Sequence, residues 1–250
     1  MTRAGSRPTV LLLLKILCSV LLLSVSFAFL VTVSTNAPLP YDTNAGTPSF
    51  ANSGATGPEF PNPQMANDYF AFKARNSDCA GWLAIPNLCY YPVMYSGDND
   101  YYLHHNSMKQ TSIGGALFVD MHSRGDFHNI CVIYGHHMKN GTMFGSLKKY
   151  RDAGFFQNNG PLELFDGQTL SFYKPFTVML FTDGVDAIDI TKTGADKAAY
   201  VEQLGARSLI KSDYQYEDDT DLLFLSTCGH DFKDCRLVVG FYKTDEYPYQ

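Results

Sequence analysis

Hydrophobic and polar positions divide the chain into three stretches of different texture. From Val10 to Val33 the chain is apolar, broken only by Lys15 and a few Ser, Thr and Cys residues. A bilayer crossing needs about 20 such residues. Arg3 and Arg7 precede the run, and no Lys or Arg occurs from Ile16 to Phe72. Positive charge on the N-terminal side places that end in the cytoplasm and everything after the run outside. Residues 1–34 are therefore expected to be a transmembrane signal-anchor. A cleaved signal peptide, ending near Ser26-Phe27-Ala28 or Thr35-Asn36-Ala37, is the alternative and exports the chain equally. Residues 35–66 hold Pro38, Pro40, Pro48, Pro58, Pro61 and Pro63 among Gly, Ser, Thr, Asn and Ala. Such a stretch buries too little apolar area to fold and is expected to be a flexible linker.

Residues 67–250 read as a single domain. Met65–Asn76, with Tyr69, Phe72 and Lys73 at helical spacing, predicts a short entry helix. Short apolar runs follow, separated by turn residues: 81–85, 91–95, 116–120, 130–134, 169–172, 177–182, 222–227 and 237–243. Strands at this density predict a mainly β fold, a closed or nearly closed barrel. Two helices are expected within it, near 143–156 and near 195–211, the latter with Tyr200, Leu204 and Ser208 on one face.

Composition supports a β-rich core: 16 Tyr and 18 Phe stand against one Trp, and aromatic side chains fit a half-buried pleated surface. The net charge of -6 offers no basic stripe for phosphates, so nucleic acid is not an expected partner. The six cysteines, Cys18, Cys79, Cys89, Cys131, Cys228 and Cys235, show neither CxxC pairs nor metal-ligand spacing. No metal or other cofactor is expected.

Candidate chemistry sits at strand ends. Leu222-Leu223-Phe224-Leu225-Ser226-Thr227-Cys228 is an apolar strand that stops at a small polar triplet ending in a thiol. The next apolar run opens at Arg236. Two strands joined by a short loop bring the Cys and Arg ends together. A neighbouring cation favours the nucleophilic thiolate, and a guanidinium offers fixed donors to an oxyanion. On these residues alone, a buried structural cysteine and a surface arginine are an equal reading. A second apolar strand, Ile130-Cys131-Val132-Ile133-Tyr134, ends at Gly135-His136-His137, which supplies a candidate general acid/base.

Leu225-Ser226-Thr227-Cys228 followed by Arg236 resembles the sortase signature. Tyr134-Gly135-His136-His137-Met138-Lys139-Asn140-Gly141-Thr142-Met143-Phe144 resembles the histidine segment of class B sortases. Gly81-Trp82-Leu83-Ala84-Ile85-Pro86, Tyr91-Pro92-Val93 and Asp98-Asn99-Asp100-Tyr101-Tyr102-Leu103 are similar to that class in the same order. The resemblance spans essentially all of 67–250. It implies a sortase-like β-barrel cysteine transpeptidase of Gram-positive bacteria, with Cys228 as nucleophile, His136 as acid and then base, and Arg236 on the substrate backbone and oxyanion. It further implies that Asn99, Leu103, Tyr134 and Ser226 border the substrate. The implied partners are secreted proteins with a C-terminal sorting motif, cleaved after Thr, and a peptidoglycan-precursor amine as acceptor, with the membrane reached through the N-terminal helix.

His136 is preferred to His137 because family members place the catalytic His directly after Gly, and adjacent strand residues face opposite ways. Cys235 raises the possibility of a reversible Cys228–Cys235 disulfide. Pilin polymerisation, simple hydrolysis and an inactive sortase-like binding module are the competing functions.

Overall fold

The computed structural model describes residues 60–182, 187–217, 219–228 and 235–250. The expected membrane segment and residues 35–59 of the expected linker lie outside the described residues. Among the described residues no helix is long and apolar enough to cross a membrane.

Helix α1 (Pro63–Lys73) starts inside the stretch read as linker and ends before Asn76. The Asn62 side chain accepts from the Met65 N–H at 3.0 Å. Pro63 fills the first turn, where its missing N–H forfeits no helical bond and its φ is already set. The proline that suggests a linker is thus a helix start. Met65, Ala66 and Tyr69 are buried in a cluster with Cys79, Trp82, Phe165 and Leu170.

Eight strands are described: β1 (Cys79–Ile85), β2 (Cys89–Met94), β3 (Leu117–Val119), β4 (Ile130–His136), β5 (Leu162–Phe165), β6 (Thr169–Thr182), β7 (Leu222–Cys228) and β8 (Cys235–Pro248). They form a closed barrel in the order β1-β2-β3-β4-β7-β8-β6-β5, with β5 returning to β1. The β2–β3 and β4–β7 pairs are parallel. The expected closed barrel is therefore observed.

Two sequence expectations are corrected in detail. The runs 169–172 and 177–182 belong to one strand, β6, which crosses Pro175 by a register shift between Pro175 and Thr177. Proline cannot donate to a ladder, and a bulge absorbs the missing bond. Strand β5 went unpredicted; its four residues are too short to show a period, yet they close the barrel.

The helix expected over 143–156 is split. A 3-10 segment, Leu147–Arg151, is separated from helix α3 (Ala153–Asn158) by extended Asp152. The Asp152 side chain accepts from the Phe155 N–H at 2.8 Å and starts α3. Helix α4 (Gly194–Ala206) stops short of Ser208 and buries Lys197, Val201 and Leu204 rather than Tyr200 and Ser208. Ser208 ties the end of α4 to β6, its Oγ accepting from the Val178 N–H at 2.9 Å.

Strands β4 and β7 are apolar on both faces because both faces are covered. Cys131, Ile133, Leu223 and Leu225 point into the barrel with Leu237, Val239 and Phe241. Ile130, Val132, Leu222, Phe224 and Val238 pack outside it with Val201 and Leu204 of α4. Each such buried aliphatic side chain contributes about 1.5–3 kcal/mol. This two-sided burial holds the strand pair that carries the site.

Candidate active site

Alternation along β4 and β7 sorts side chains to two faces. Tyr134 and His136 share the outer-face parity of Ile130 and Val132, while Gly135 falls on the inner face with Cys131 and Ile133. The interior leaves no room at Gly135. A Cβ there would meet Leu117 and lie 2.8 Å from Phe144 Cδ2. The glycine before the histidine is a packing requirement.

The parallel β4–β7 register pairs Tyr134 with Ser226 and His136 with Cys228. Cys228 has the strand parity of Leu222, Phe224 and Ser226. The antiparallel β7–β8 ladder pairs Ser226 with Val238, and the Leu237 N–H donates to Thr227 Oγ1 at 3.0 Å. The same count carried two positions on sets Arg236 level with Cys228. His136, Cys228 and Arg236 therefore occupy matching positions at the ends of three neighbouring strands.

The ring of His136 is half-buried and its Nε2 lies 2.8 Å from the Leu103 carbonyl. A carbonyl only accepts, so Nε2 carries the proton and Nδ1 is left as the acceptor. Leu103 belongs to a one-turn helix, α2 (Tyr101–His104). Gly115 permits this approach. Its φ is +56°, and a Cβ there would lie 2.5 Å from the Tyr102 oxygen, 2.9 Å from the Leu103 oxygen and 3.1 Å from His136 Cδ2. His137 instead lies past the strand end, in an isolated bridge with Met143.

Asn99 and Tyr134 meet at Asp120, a residue the sequence reading did not single out. Asp120 Oδ2 accepts from Asn99 Nδ2 at 2.9 Å and from the Tyr134 hydroxyl at 3.2 Å. Asp120 is 7 % exposed. Asn99 Oδ1 accepts from the Met121 N–H at 2.8 Å, so both ends of its amide are engaged within the protein. Ser226 is buried beside Tyr134 on the neighbouring strand. The one available signal for Asp120 was an acid closing the apolar run 116–120.

No protein-family model matches the chain. Among solved structures, Clostridium perfringens sortase B is 31% identical, with a TM-score of 0.64, over 70% of this chain and 99% of that one. The chain belongs to the class B sortases. Sortase B of Listeria monocytogenes is 28% identical over 188 residues, 71% of this chain and 74% of that protein. A Staphylococcus aureus sortase B–substrate complex, 21% identical over 72% of this chain and 85% of that one, shares the fold at a TM-score of 0.66. The protein is thus a sortase-type cysteine transpeptidase.

Within this sortase the remaining described cysteines are poor nucleophiles or face elsewhere. Burial pushes the Cys79 and Cys89 thiols up to about 12 and drives Cys131 up as well. These are the small buried apolar groups that composition suggested. Cys235 is a free thiol paired with Thr182 of β6. It has the strand parity of Leu237 and Val239.

Proposed function

We propose that this sortase cleaves a C-terminal sorting signal of secreted proteins after threonine and joins the threonine to a cell-wall amine. Cys228 gives its thiol proton to Nδ1 of His136 as Sγ attacks the threonine carbonyl carbon, and Arg236, set level with Cys228, receives the negative charge that develops on oxygen. The carbon–nitrogen bond breaks as His136 gives a proton to the departing amine, leaving a thioester on Cys228. The acceptor amine then attacks that thioester and gives its proton to His136. A new amide forms as the carbon–sulfur bond breaks, and His136 returns the proton to sulfur, regenerating the Cys228 thiol.

The observation that carries this reading is the β4–β7 register, which pairs His136 with Cys228. The Leu103 carbonyl engages Nε2, so Nδ1 is the nitrogen that exchanges the proton. Leu103, Tyr134 and Ser226 border the substrate on the outer face of the barrel, and Asn99 shapes that border through its contacts to Asp120 and Met121. A Staphylococcus aureus relative has been solved with substrate, which supports a peptide groove on this fold. In this reading the apolar run Val10–Val33, within residues 1–34, anchors the enzyme in the membrane with the barrel outside the cell, on a linker rich in Pro, Gly and Ser.

The test is a panel of quenched fluorescent peptides carrying candidate sorting motifs, incubated with the full chain, with and without a small amine. Cysteine-dependent cleavage with the amine joined to threonine is expected, and Cys228→Ala abolishes it. Equal cleavage by Cys228→Ala, or cleavage that never incorporates an amine, would overturn the reading.

A further inference from the structure

We infer that Asp120 is a positioning residue for His136, acting from two sides at once. This rests on the role proposed for His136. One branch runs through β4: Asp120 Oδ2 accepts from the hydroxyl of Tyr134, which shares the outer face with His136. The other runs through the segment before α2. The same oxygen accepts from Asn99 Nδ2, and Asn99 leads within a few residues to Leu103, whose carbonyl holds His136 Nε2. The imidazole and the carbonyl that orients it are thus referred to a single buried carboxylate.

Asp120 is itself held firmly. Its Oδ1 accepts from the His122 N–H at 2.8 Å and lies 3.0 Å from His122 Nδ1. Its own N–H donates to the Val132 oxygen at 2.9 Å, extending the β3–β4 ladder. A buried acceptor with donors on both oxygens fixes direction as well as distance. A neutral amide at this position could satisfy only one side. With its oxygen toward His122, its NH2 would face the NH2 of Asn99, two donors opposed.

That conflict supplies the test. In the double exchange Asp120→Asn with Asn99→Asp, the amide at 120 keeps its oxygen toward the His122 N–H. Its NH2 then donates to the new carboxylate, whose other oxygen still accepts from the Met121 N–H. The Tyr134 hydroxyl can rotate to accept. The pairing is rebuilt with donor and acceptor reversed.

The experiment uses the 15N-labelled full chain and records long-range correlations of the imidazole nitrogens at a pH where His136 is neutral. His136 is assigned by the signals missing from His136→Gln. Wild type is expected to show the Nε2-protonated tautomer. Asp120→Asn converts it to a mixture of tautomers while the other histidine signals away from residue 122 stay in place, and the double exchange restores the single form. Should Asp120→Asn fail to fold, Tyr134→Phe, which removes one hydroxyl, carries the same expectation of mixing. Retention of one tautomer in the folded single variant, or no restoration in the double exchange, overturns the proposal.

In peptide transfer, kcat is expected to fall about tenfold in Asp120→Asn, as for a displaced catalytic group. An unchanged kcat would count against Asp120. A wild-type chain without transfer activity but with the tautomer pattern described would instead strike the proposed function and leave the positioning role standing.

Discussion

His136 Nε2 lies 2.8 Å from the main-chain carbonyl of Leu103. This one contact assigns the proton to Nε2 and leaves Nδ1 as the nitrogen that, in the proposed reaction, exchanges protons with sulfur and amine. The ring cannot turn over without losing a hydrogen bond, so the histidine is oriented before substrate arrives.

Gly115 makes that contact possible, and its replacement should break it. Gly115→Ala places a methyl 2.5 Å from the Tyr102 oxygen at a φ of +56°. The strain costs about 1–3 kcal/mol, and the Leu103 carbonyl must move away from the ring. A lower Tm together with a transfer rate down about tenfold or more is expected. Thermal melts and the peptide assay check both; a full rate would show that His136 does not need this carbonyl.

Arg236 and His136 should separate by chemistry. His136→Ala is expected to lower kcat by about 10²–10⁴, the usual weight of a general acid/base. Arg236→Ala falls in a similar range, about 10²–10³, as for loss of an oxyanion donor. Arg236→Lys should remain impaired, because an ammonium keeps the charge but not the planar pair of donors. Steady-state kinetics on one peptide decide this, and a lysine variant as fast as wild type would reduce Arg236 to a point charge.

Thiol reactivity should follow burial. Alkylation of the native chain at pH 8 with iodoacetamide should leave Cys79, Cys89 and Cys131 unlabelled, because burial raises all three thiols. Labelling at Cys228 should proceed and abolish transfer. Peptide mapping before and after denaturation reads the pattern. Rapid native labelling of Cys131 would mean that the barrel interior opens.

Asp221 should contribute an acid-sensitive share of stability. Burial alone would raise its carboxyl, yet bonds from Lys243 at 2.6 Å, the Asn129 N–H at 2.6 Å and His128 at 3.2 Å hold it below its ordinary value. A folded value below the unfolded one, about 3.9, means stabilisation above that pH. The stabilisation disappears as pH falls through the folded value. Asp221→Asn should therefore lower stability at pH 7 by about 1–3 kcal/mol, and the gap should close as pH falls through the folded value. Denaturant melts across pH test this; a gap independent of pH would assign the effect to packing.

Several features of this sortase were legible in the chain itself. Period-two alternation and apolar runs mark β1, β2, β4, β7 and β8, because a strand's burial pattern is local to its own residues. Cys228, His136 and Arg236 announce themselves as polar groups at the ends of such runs. The choice of His136 over His137 rests on the family resemblance, which places the histidine directly after glycine; strand parity adds only that the two face opposite ways. Pro63 misled for a local reason, since the same residue type opens helices and breaks them.

Tertiary structure decided the rest. The pairing of His136 with Cys228 is a register between parallel strands far apart in sequence, and it is set by which side chains fill the shared interior: Cys131 and Ile133 against Leu223 and Leu225. No residue in either strand encodes that alignment alone. Strand β5, four residues long, exists because β1 and β6 leave a gap that it closes. The hydrogen bonds from Asp120 to Asn99 and Tyr134, and from His136 to Leu103, join residues that only the closed barrel brings within 2.8–3.2 Å. The sequence by itself determined the candidate reactive groups and the strand faces on which they lie. Their distances and proton positions were decided by the folded packing, because hydrogen-bond geometry depends on atoms contributed from many strands at once.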